Sequence, residues 1–176
     1  AVTLHAPHHL VPLRVGTRTS RQAVALLVAV AALADEGVPG ELVFAVAMLA
    51  PIDVLVFDLQ DIGCRSYTYI STMVVSMEAA AENGKEFVVL DRPNPIGGAQ
   101  VEGGGLEAGL ENFCALYPVP QRHGMTVGEL ARLYNASFGI GCELDVVTCE
   151  GWKRADYYDA TGLPWVMPSP NMPTLD

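Results

Sequence analysis

The stretch PIDVLVFDLQDIGCRSYTYISTM, residues 51–73, decides the fold of this chain, because an apolar strand leads into a polar loop and then into a helix. Residues 53–57 are predicted to be a strand, and after Asp53 the residues are continuously apolar rather than alternating, which is typical of a parallel sheet with helices on both faces. Apolar residues then recur at three- and four-residue spacing over 67–83, and Gly84 supplies a helix stop. EFVVL, residues 86–90, is a second apolar strand. These segments predict one βαβ unit.

A second unit is predicted further along the chain. Thr126 and Glu129 form the T-x-x-E pattern of a capping box, and an apolar helical face continues from there until Gly139. Its partner strand is predicted at residues 144–148, and the glycine-rich segment 97–112 between the units is predicted to be an exposed loop or a short hairpin. The chain is therefore predicted to be an α/β protein with a Rossmann-like parallel sheet.

Length and composition indicate one globular domain over residues 1–176, since 51% of the side chains are hydrophobic and only 17% are charged. The net charge of -10 works against a nucleic-acid or anionic-membrane partner, because phosphates are bound by clustered Lys and Arg. The apolar run over residues 23–34 is too short for a membrane span and is predicted to be a core helix. No signal-peptide pattern occurs at the N-terminus, and the compartment and the oligomeric state stay open.

No cofactor and no metal are predicted. The four cysteines form neither a C-x-x-C pair nor a Cys/His cluster with zinc-site spacing, so we expect free, buried thiols. The glycines at 103–105 lack the strand and helix context of a dinucleotide-binding loop, and neither a Walker loop nor an H-E-x-x-H pair is present.

Polar side chains follow both predicted strands of the first unit and precede the capped helix of the second. Ligands of open α/β sheets collect at the carboxyl ends of the strands, so these side chains are expected to share one rim. Carboxylates, amides, an arginine and an imidazole together suit a sugar site, where hydroxyl groups need polar partners and hydrolysis needs carboxyl groups. The residues are Asp58, Gln60 and Asp61 after the first strand, Asp91, Arg92 and Asn94 after the second, and Arg122 and His123 before the helix.

Each of these residues also has a purely structural interpretation. Asp58 or Asp61 can cap a helix or bind loop amides, and Arg65 and Arg92 can be ion-pair partners of those aspartates. His123, beside a glycine, can be a loop histidine whose hydrogen bonds are satisfied locally. The residue types alone leave both interpretations open.

Five segments taken together resemble the bacterial exo-β-N-acetylmuramidase family of the NamZ or YbbC type, from about residue 48 to residue 176. They are DVLVFDLQDIGCRSYTYISTM, FVVLDRPNPIGG, YPVPQRHGMTVGELARLYN, EGWKR and TGLPWVMPSPNMPTLD. The resemblance implies a glycosidase of cell-wall turnover that releases terminal N-acetylmuramic acid from peptidoglycan fragments, with a peptidoglycan-derived saccharide as its partner. Family members are often exported. The implied catalytic residues are Asp58, Asp61 and His123, and the implied substrate-binding residues are Gln60, Arg65, Tyr67, Asp91, Arg92, Asn94, Arg122 and Asn171.

The chain departs from this family in two places. Members usually present a P-E-H-G motif upstream, whose glutamate is the leading candidate for the catalytic acid, but here His8 stands at that position and Leu10 replaces the glycine. Residues 1–47 diverge from the family, and its C-terminal domain has no counterpart after Asp176. We therefore expect an incomplete copy of a two-domain glycoside hydrolase. The alternatives are a catalytically inactive sugar-binding module and a truncated remnant.

Overall fold

The computed structural model describes residues 2–6, 9–13, 24–26 and 49–167, the first three ranges by their backbone alone. The strands are β1 (Val2–Ala6), β2 (His9–Leu13), β3 (Val24–Leu26), β4 (Val54–Phe57), β5 (Glu86–Leu90) and β6 (Glu143–Val147). The helices are α1 (Tyr69–Glu82), α2 (Val127–Ser137) and a short 3-10 helix, Tyr158–Thr161. No helix in these ranges is long and apolar enough to cross a membrane.

The described residues form two sheets. Strands β1 and β2 pair as an antiparallel hairpin, while β3, β4, β5 and β6 form a parallel sheet in that order. In the parallel sheet, Val54 pairs with Glu86 and Phe57 with Val89, and Glu86 in turn pairs with Glu143. All parallel strands therefore end at the same edge, where the loops that follow them meet.

Both described α-helices pack on one face of the parallel sheet. The core of that face holds Leu55, Phe57, Phe87 and Val89 from the strands, Met73 and Met77 from α1, and Leu130 and Tyr134 from α2. Strand side chains alternate between faces, so the remaining strand residues form a second buried cluster on the opposite face. That cluster contains Val54, Val56 and Val88. The sequence predicts a parallel sheet with helices on both faces. Within the described residues, the parallel sheet and the helices on one face are confirmed.

The predicted elements agree with the structure to within one or two residues for β4, α1, β5, α2 and β6. The capping box is confirmed, because the Thr126 side chain accepts from the Glu129 amide and the Glu129 side chain accepts from the Thr126 amide. The glycine-rich segment 97–112 contains no helix or strand. Its acidic and glycine residues are mostly exposed, as predicted.

Two expectations need correction. Residues 24–26, within the apolar run predicted to be a core helix, form strand β3 alongside β4, and the rest of the run lies outside the described residues. A short apolar segment suits a buried strand as well as a helix, and pairing with β4 decides between them. The cysteines are free, as predicted, but only Cys142 is buried, and Cys114 is exposed.

Candidate functional site

Asp58 and Arg92 form an ion pair at the carboxyl ends of β4 and β5. Arg92 donates to Oδ1 of Asp58 from Nε at 2.8 Å and from Nη2 at 2.5 Å. The two side chains remain partly exposed, Asp58 by 14% and Arg92 by 31%. Phe57 and Val89 pair on the face that carries the helices, so side-chain alternation assigns Asp58 and Arg92 to the opposite face. A solvent-accessible acid and base thus lie together at the predicted rim.

Asp91 points to α2 instead. Its Oδ1 accepts from the Gly128 amide at 2.7 Å and its Oδ2 from the Thr126 hydroxyl at 2.9 Å. Oδ1 also accepts from the amide of Arg92 at 3.0 Å. A carboxylate at a helix N-terminus satisfies free amides and interacts favourably with the helix dipole. The structure therefore gives Asp91 a structural role in docking α2 onto β5, rather than the shared pocket with Asp58 that the sequence predicted.

Asp61 and His123 form a buried pair beside the rim. His123 Nε2 lies 3.3 Å from Asp61 Oδ2, with side-chain exposures of only 1% and 5%. His123 Nδ1 accepts from the Met125 amide at 3.2 Å, which leaves Nε2 as the ring nitrogen that faces the carboxylate. Asp61 Oδ2 also accepts from the Gly63 amide at 2.8 Å, which is the loop-amide interaction considered from the sequence. Neither side chain is open to solvent.

Gln60 and Asn94 join the loops that follow β4 and β5. Gln60 donates from Nε2 to the carbonyl oxygen of Pro93 at 3.0 Å, across the two loops. Asn94 donates to the carbonyl oxygen of Met125 at 2.9 Å, which ties the loop after β5 to the segment before α2. Asn94 is buried and Gln60 is half-buried. Both amides fix the rim in place, and only Gln60 retains partial exposure.

Arg65 makes no ion pair with the rim aspartates. Its Nη1 donates to the carbonyl oxygens of Gly104, at 3.0 Å, and Val119, at 2.5 Å. A Cβ added to the neighbouring Gly103 would lie 2.7 Å from the Cβ of Gln121, so the segment runs close to the chain beneath it. Arg65 therefore holds the glycine-rich segment in place, and the interpretation as a partner of the aspartates is wrong for this residue.

Arg122 holds the same segment at a second point. Its Nη1 donates at 2.6 Å both to Gln100 Oε1 and to Glu102 Oε2, and its Nη2 donates to the carbonyl oxygen of Ile96. Backbone bonds of 3.1 and 2.9 Å between Glu102 and Arg122 reinforce this contact, and the Tyr157 ring lies 6.0 Å from the guanidinium. The hydrogen bond to Glu102 is the main effect that raises the pKa of Arg122.

The remaining predicted site residues are placed as follows. Tyr67 is half-buried just before α1, with its ring edge against Tyr69 at a centroid distance of 4.6 Å. Asn171 and His8 lie outside the described residues, and Leu10 lies in β2. Within the described ranges, no group of three or more His, Cys, Asp or Glu side chains is arranged to hold a metal ion.

Two acidic groups beside the site, the buried Tyr134 and the half-buried Cys149, have raised pKa values. Burial is the main cause for Tyr134, whose pKa is raised further by the charge of Asp61. Burial also raises the pKa of the Cys149 thiol to about 11, with smaller contributions from the charges of Asp91 and Glu129. Both groups are therefore neutral around neutral pH, and neither supplies a charged nucleophile.

The sequence that forms these loops matches a known protein family. Residues 43–176 match the family described as exo-beta-N-acetylmuramidase NamZ, N-terminal. The chain belongs to this family. All the rim residues described above lie within the matched part. The ion pair, the buried pair and the glycine-rich segment held by Arg65 and Arg122 therefore belong to the NamZ N-terminal region.

Individual relatives agree with this assignment. The chain is 56% identical over 129 residues to the peptidoglycan beta-N-acetylmuramidase NamZ of Bacillus subtilis strain 168, covering 73% of this chain and 31% of that protein. A crystal structure of a DUF1343 family protein from Bacteroides fragilis aligns with a TM-score of 0.70 and 54% identity, over 73% of this chain and 34% of that one. A second such protein from the same organism gives a TM-score of 0.62 and 35% identity, over 65% and 33%. The chain thus spans about one third of the length of these relatives.

Sequence reasoning missed several residues that shape the NamZ rim. Gln100 and Glu102 bind Arg122 from within a segment that was predicted only to be an exposed loop or a short hairpin. Gly128 lies against Asp91, and a Cβ there would lie 2.8 Å from the Asp91 Cγ. The alternation of side chains along β4 and β5 would have separated Asp58 from Asp91, because the register assigns them to opposite faces.

Proposed function

We propose that this chain is the N-terminal, sugar-binding part of an exo-β-N-acetylmuramidase that removes terminal N-acetylmuramic acid from peptidoglycan fragments. The observation that carries the proposal is the Asp58 and Arg92 pair, which stays 14% and 31% exposed at the end of an otherwise buried sheet. An accessible carboxylate and guanidinium at that edge offer both acceptors and donors to sugar hydroxyl groups. The identity to the Bacillus subtilis enzyme supports a peptidoglycan saccharide as the ligand.

In this proposal, Asp58 is the carboxylate that faces the bound sugar, and Arg92 orients it. The buried pair of Asp61 and His123 acts behind them, since its exposures of 5% and 1% leave no surface for a saccharide. Gln60 contributes its half-buried amide to the same edge. Glycoside hydrolysis uses two carboxyl groups, and we assign the second to protein outside the matched residues 43–176.

Fold and domain organisation form part of the same proposal. We infer a Rossmann-like domain that forms its cleft together with a further domain. The support is the fraction of the relatives that the chain spans, 31% of the Bacillus subtilis protein and 34% of the Bacteroides fragilis one. A sugar site at the edge of a sheet is then completed by residues from a second domain.

A second candidate function is sugar binding without hydrolysis. It is favoured by the two rim acids, because Asp58 is held by Arg92 and Asp61 is buried against His123. A carboxylate that is already held by another side chain still accepts hydrogen bonds from sugar hydroxyl groups, and such binding requires no proton transfer. His8 in place of the family glutamate supports the same candidate.

Two measurements separate these candidates. Titration calorimetry of the 176-residue chain with methyl β-N-acetylmuramide reports binding. Release of 4-nitrophenol from 4-nitrophenyl β-N-acetylmuramide by this chain joined to the remaining region of the Bacillus subtilis relative reports hydrolysis. Binding with release supports the hydrolase, and binding without release supports the binding module. Absence of both signals would contradict the proposed site.

A further inference from the structure

We propose that Arg92 is the specificity-determining residue that selects N-acetylmuramic acid over N-acetylglucosamine, by binding the lactyl carboxylate of the former. The inference rests on the proposed function, because it names the group that recognises the substrate at the same site. The two sugars differ in the lactyl ether on O3 of muramic acid, which adds one carboxylate. A guanidinium is the side chain that best matches a carboxylate, through two parallel N–H donors.

Arg65 and Arg122 are already occupied. Arg65 Nη1 donates to two backbone carbonyl oxygens, at 3.0 and 2.5 Å, and Arg122 uses both terminal nitrogens on Gln100, Glu102 and a backbone carbonyl. Releasing either guanidinium to bind a ligand would leave a partly buried backbone carbonyl oxygen, that of Val119 or of Ile96, without this donor, which is costly. These two arginines are positioning residues for the glycine-rich segment.

Arg154 and Arg132 lie elsewhere on the surface. Arg154 donates to the side chain of Glu129 and, at 3.0 Å, to the carbonyl oxygen of Gly124. Arg132 is exposed on α2, on the sheet face opposite the one to which alternation assigns Arg92. Among the arginines within residues 49–167, Arg92 is therefore the one that combines exposure, a place at the rim and spare donors.

Arg92 retains donors for a ligand. Its Nε and Nη2 both converge on a single oxygen, Oδ1 of Asp58, and within the described residues Nη1 has no acceptor. The guanidinium has five N–H donors in a fixed plane, so the outer edge formed by Nη1 and Nη2 stays available to a carboxylate. Asp58 holds that plane in position, which lowers the entropy lost when the ligand binds. The net charge of -10 disfavours an anionic ligand overall, and an accessible guanidinium offsets this repulsion locally.

The test compares the affinities of methyl β-N-acetylmuramide and methyl β-N-acetylglucosaminide for the whole chain and for three variants. Wild type is expected to prefer the muramide by about tenfold or more, as a charge-assisted hydrogen-bonded pair provides. Arg92→Gln is expected to bind both glycosides within about twofold of each other, since a neutral amide offers no charge to the carboxylate. Arg132→Gln is the matched control, because it removes one exposed guanidinium from α2 and should keep the wild-type preference.

Each outcome decides the inference. A preference for the muramide that survives in Arg92→Gln overturns the role of Arg92 but leaves the proposed function standing. Equal binding of both glycosides by the wild type has the same two consequences. A wild type that binds neither glycoside overturns the proposed function, and the inference with it. Should Arg92→Gln fail to fold by circular dichroism, Arg92→Lys takes its place. Lysine keeps the charge beside Asp58 but cannot donate two parallel N–H bonds to a carboxylate, so at least about a threefold loss of the preference for the muramide is expected. An unchanged preference contradicts the proposal.

Discussion

His123 Nε2 lies 3.3 Å from Asp61 Oδ2 in a nearly solvent-free position, with side-chain exposures of 1% and 5%. Asp61 belongs to the loop after β4 and His123 to the segment before α2, so the pair connects two parts of the rim. The imidazole is oriented by the Met125 amide and the carboxylate by the Gly63 amide. The pair is therefore a rigid support behind the Asp58 and Arg92 site.

Removal of the Asp61 carboxylate should destabilise the fold. Asp61→Ala leaves the buried Gly63 amide without its acceptor and removes the carboxylate that lies 3.3 Å from His123 Nε2, which should lower the free energy of unfolding by about 1–3 kcal/mol. Urea denaturation followed by circular dichroism measures the change. Asp145→Ala, on the exposed side of β6, is the matched control and should change stability little. An Asp61→Ala variant as stable as the control, yet inactive, would mean that Asp61 acts chemically instead.

Asp91 should contribute to stability rather than to sugar affinity. Asp91→Ala removes the acceptor of the Gly128 amide and the Thr126 hydroxyl, and loss of a helix-capping acceptor costs about 0.5–2 kcal/mol. We expect faster hydrogen exchange at the Gly128 amide and an unchanged affinity for methyl β-N-acetylmuramide. A variant of normal stability with greatly reduced affinity would show that Asp91 binds the sugar.

Gly128 is expected to tolerate no side chain. A Cβ at this position would lie 2.5 Å from Val146 Cγ1 and 2.8 Å from Asp91 Cγ, so Gly128→Ala must push α2 away from the sheet. Such overpacking typically costs about 1–3 kcal/mol, measurable as a shift of the urea midpoint. Gly104→Ala is the control, because a Cβ there meets nothing within 4 Å. Equal stability of the two variants would contradict the close contact of α2 with β6 and with the residue that follows β5.

The stability of the chain should fall at alkaline pH through two thiols. Burial raises the pKa of Cys142 and of Cys149 from 9.0 to about 11 in the folded protein. The unfolded chain loses these protons first, so the contribution is fully present below pH 9 and is lost as pH rises towards 11. Urea midpoints measured between pH 8 and 11 should decline less steeply in a Cys142→Ala, Cys149→Ala double variant. Identical slopes would show that the thiols do not contribute.

The βαβ units could be predicted from the sequence because the patterns that indicate their strands and helices are local. Continuous apolar runs predicted β4 and β5, and the T-x-x-E pattern placed the start of α2 at the observed capping box. The polar edge was predictable for the same reason, since parallel strands end together. The ion pair of Arg92 with Asp58 was among the alternatives considered from the sequence, and it is confirmed.

The roles of the other rim residues depend on contacts between distant parts of the chain. Arg65 finds its acceptors 39 and 54 residues away, in a segment whose course no local pattern specifies. Asp91 and Asp58 each follow a strand, but the register of β4 with β5 assigns them to opposite faces. The apolar run at residues 23–34 was ambiguous because a strand and a buried helix share its composition, and pairing with β4 makes residues 24–26 a strand.

The central claim is that the sugar binds at the edge of the sheet formed by the ends of β4 and β5. A crystal structure of the chain soaked with methyl β-N-acetylmuramide tests this most directly. We expect the glycoside within hydrogen-bonding distance of Asp58, with its lactyl carboxylate on the outer edge of the Arg92 guanidinium. A glycoside bound elsewhere, with the Asp58 and Arg92 pair untouched, would contradict the account.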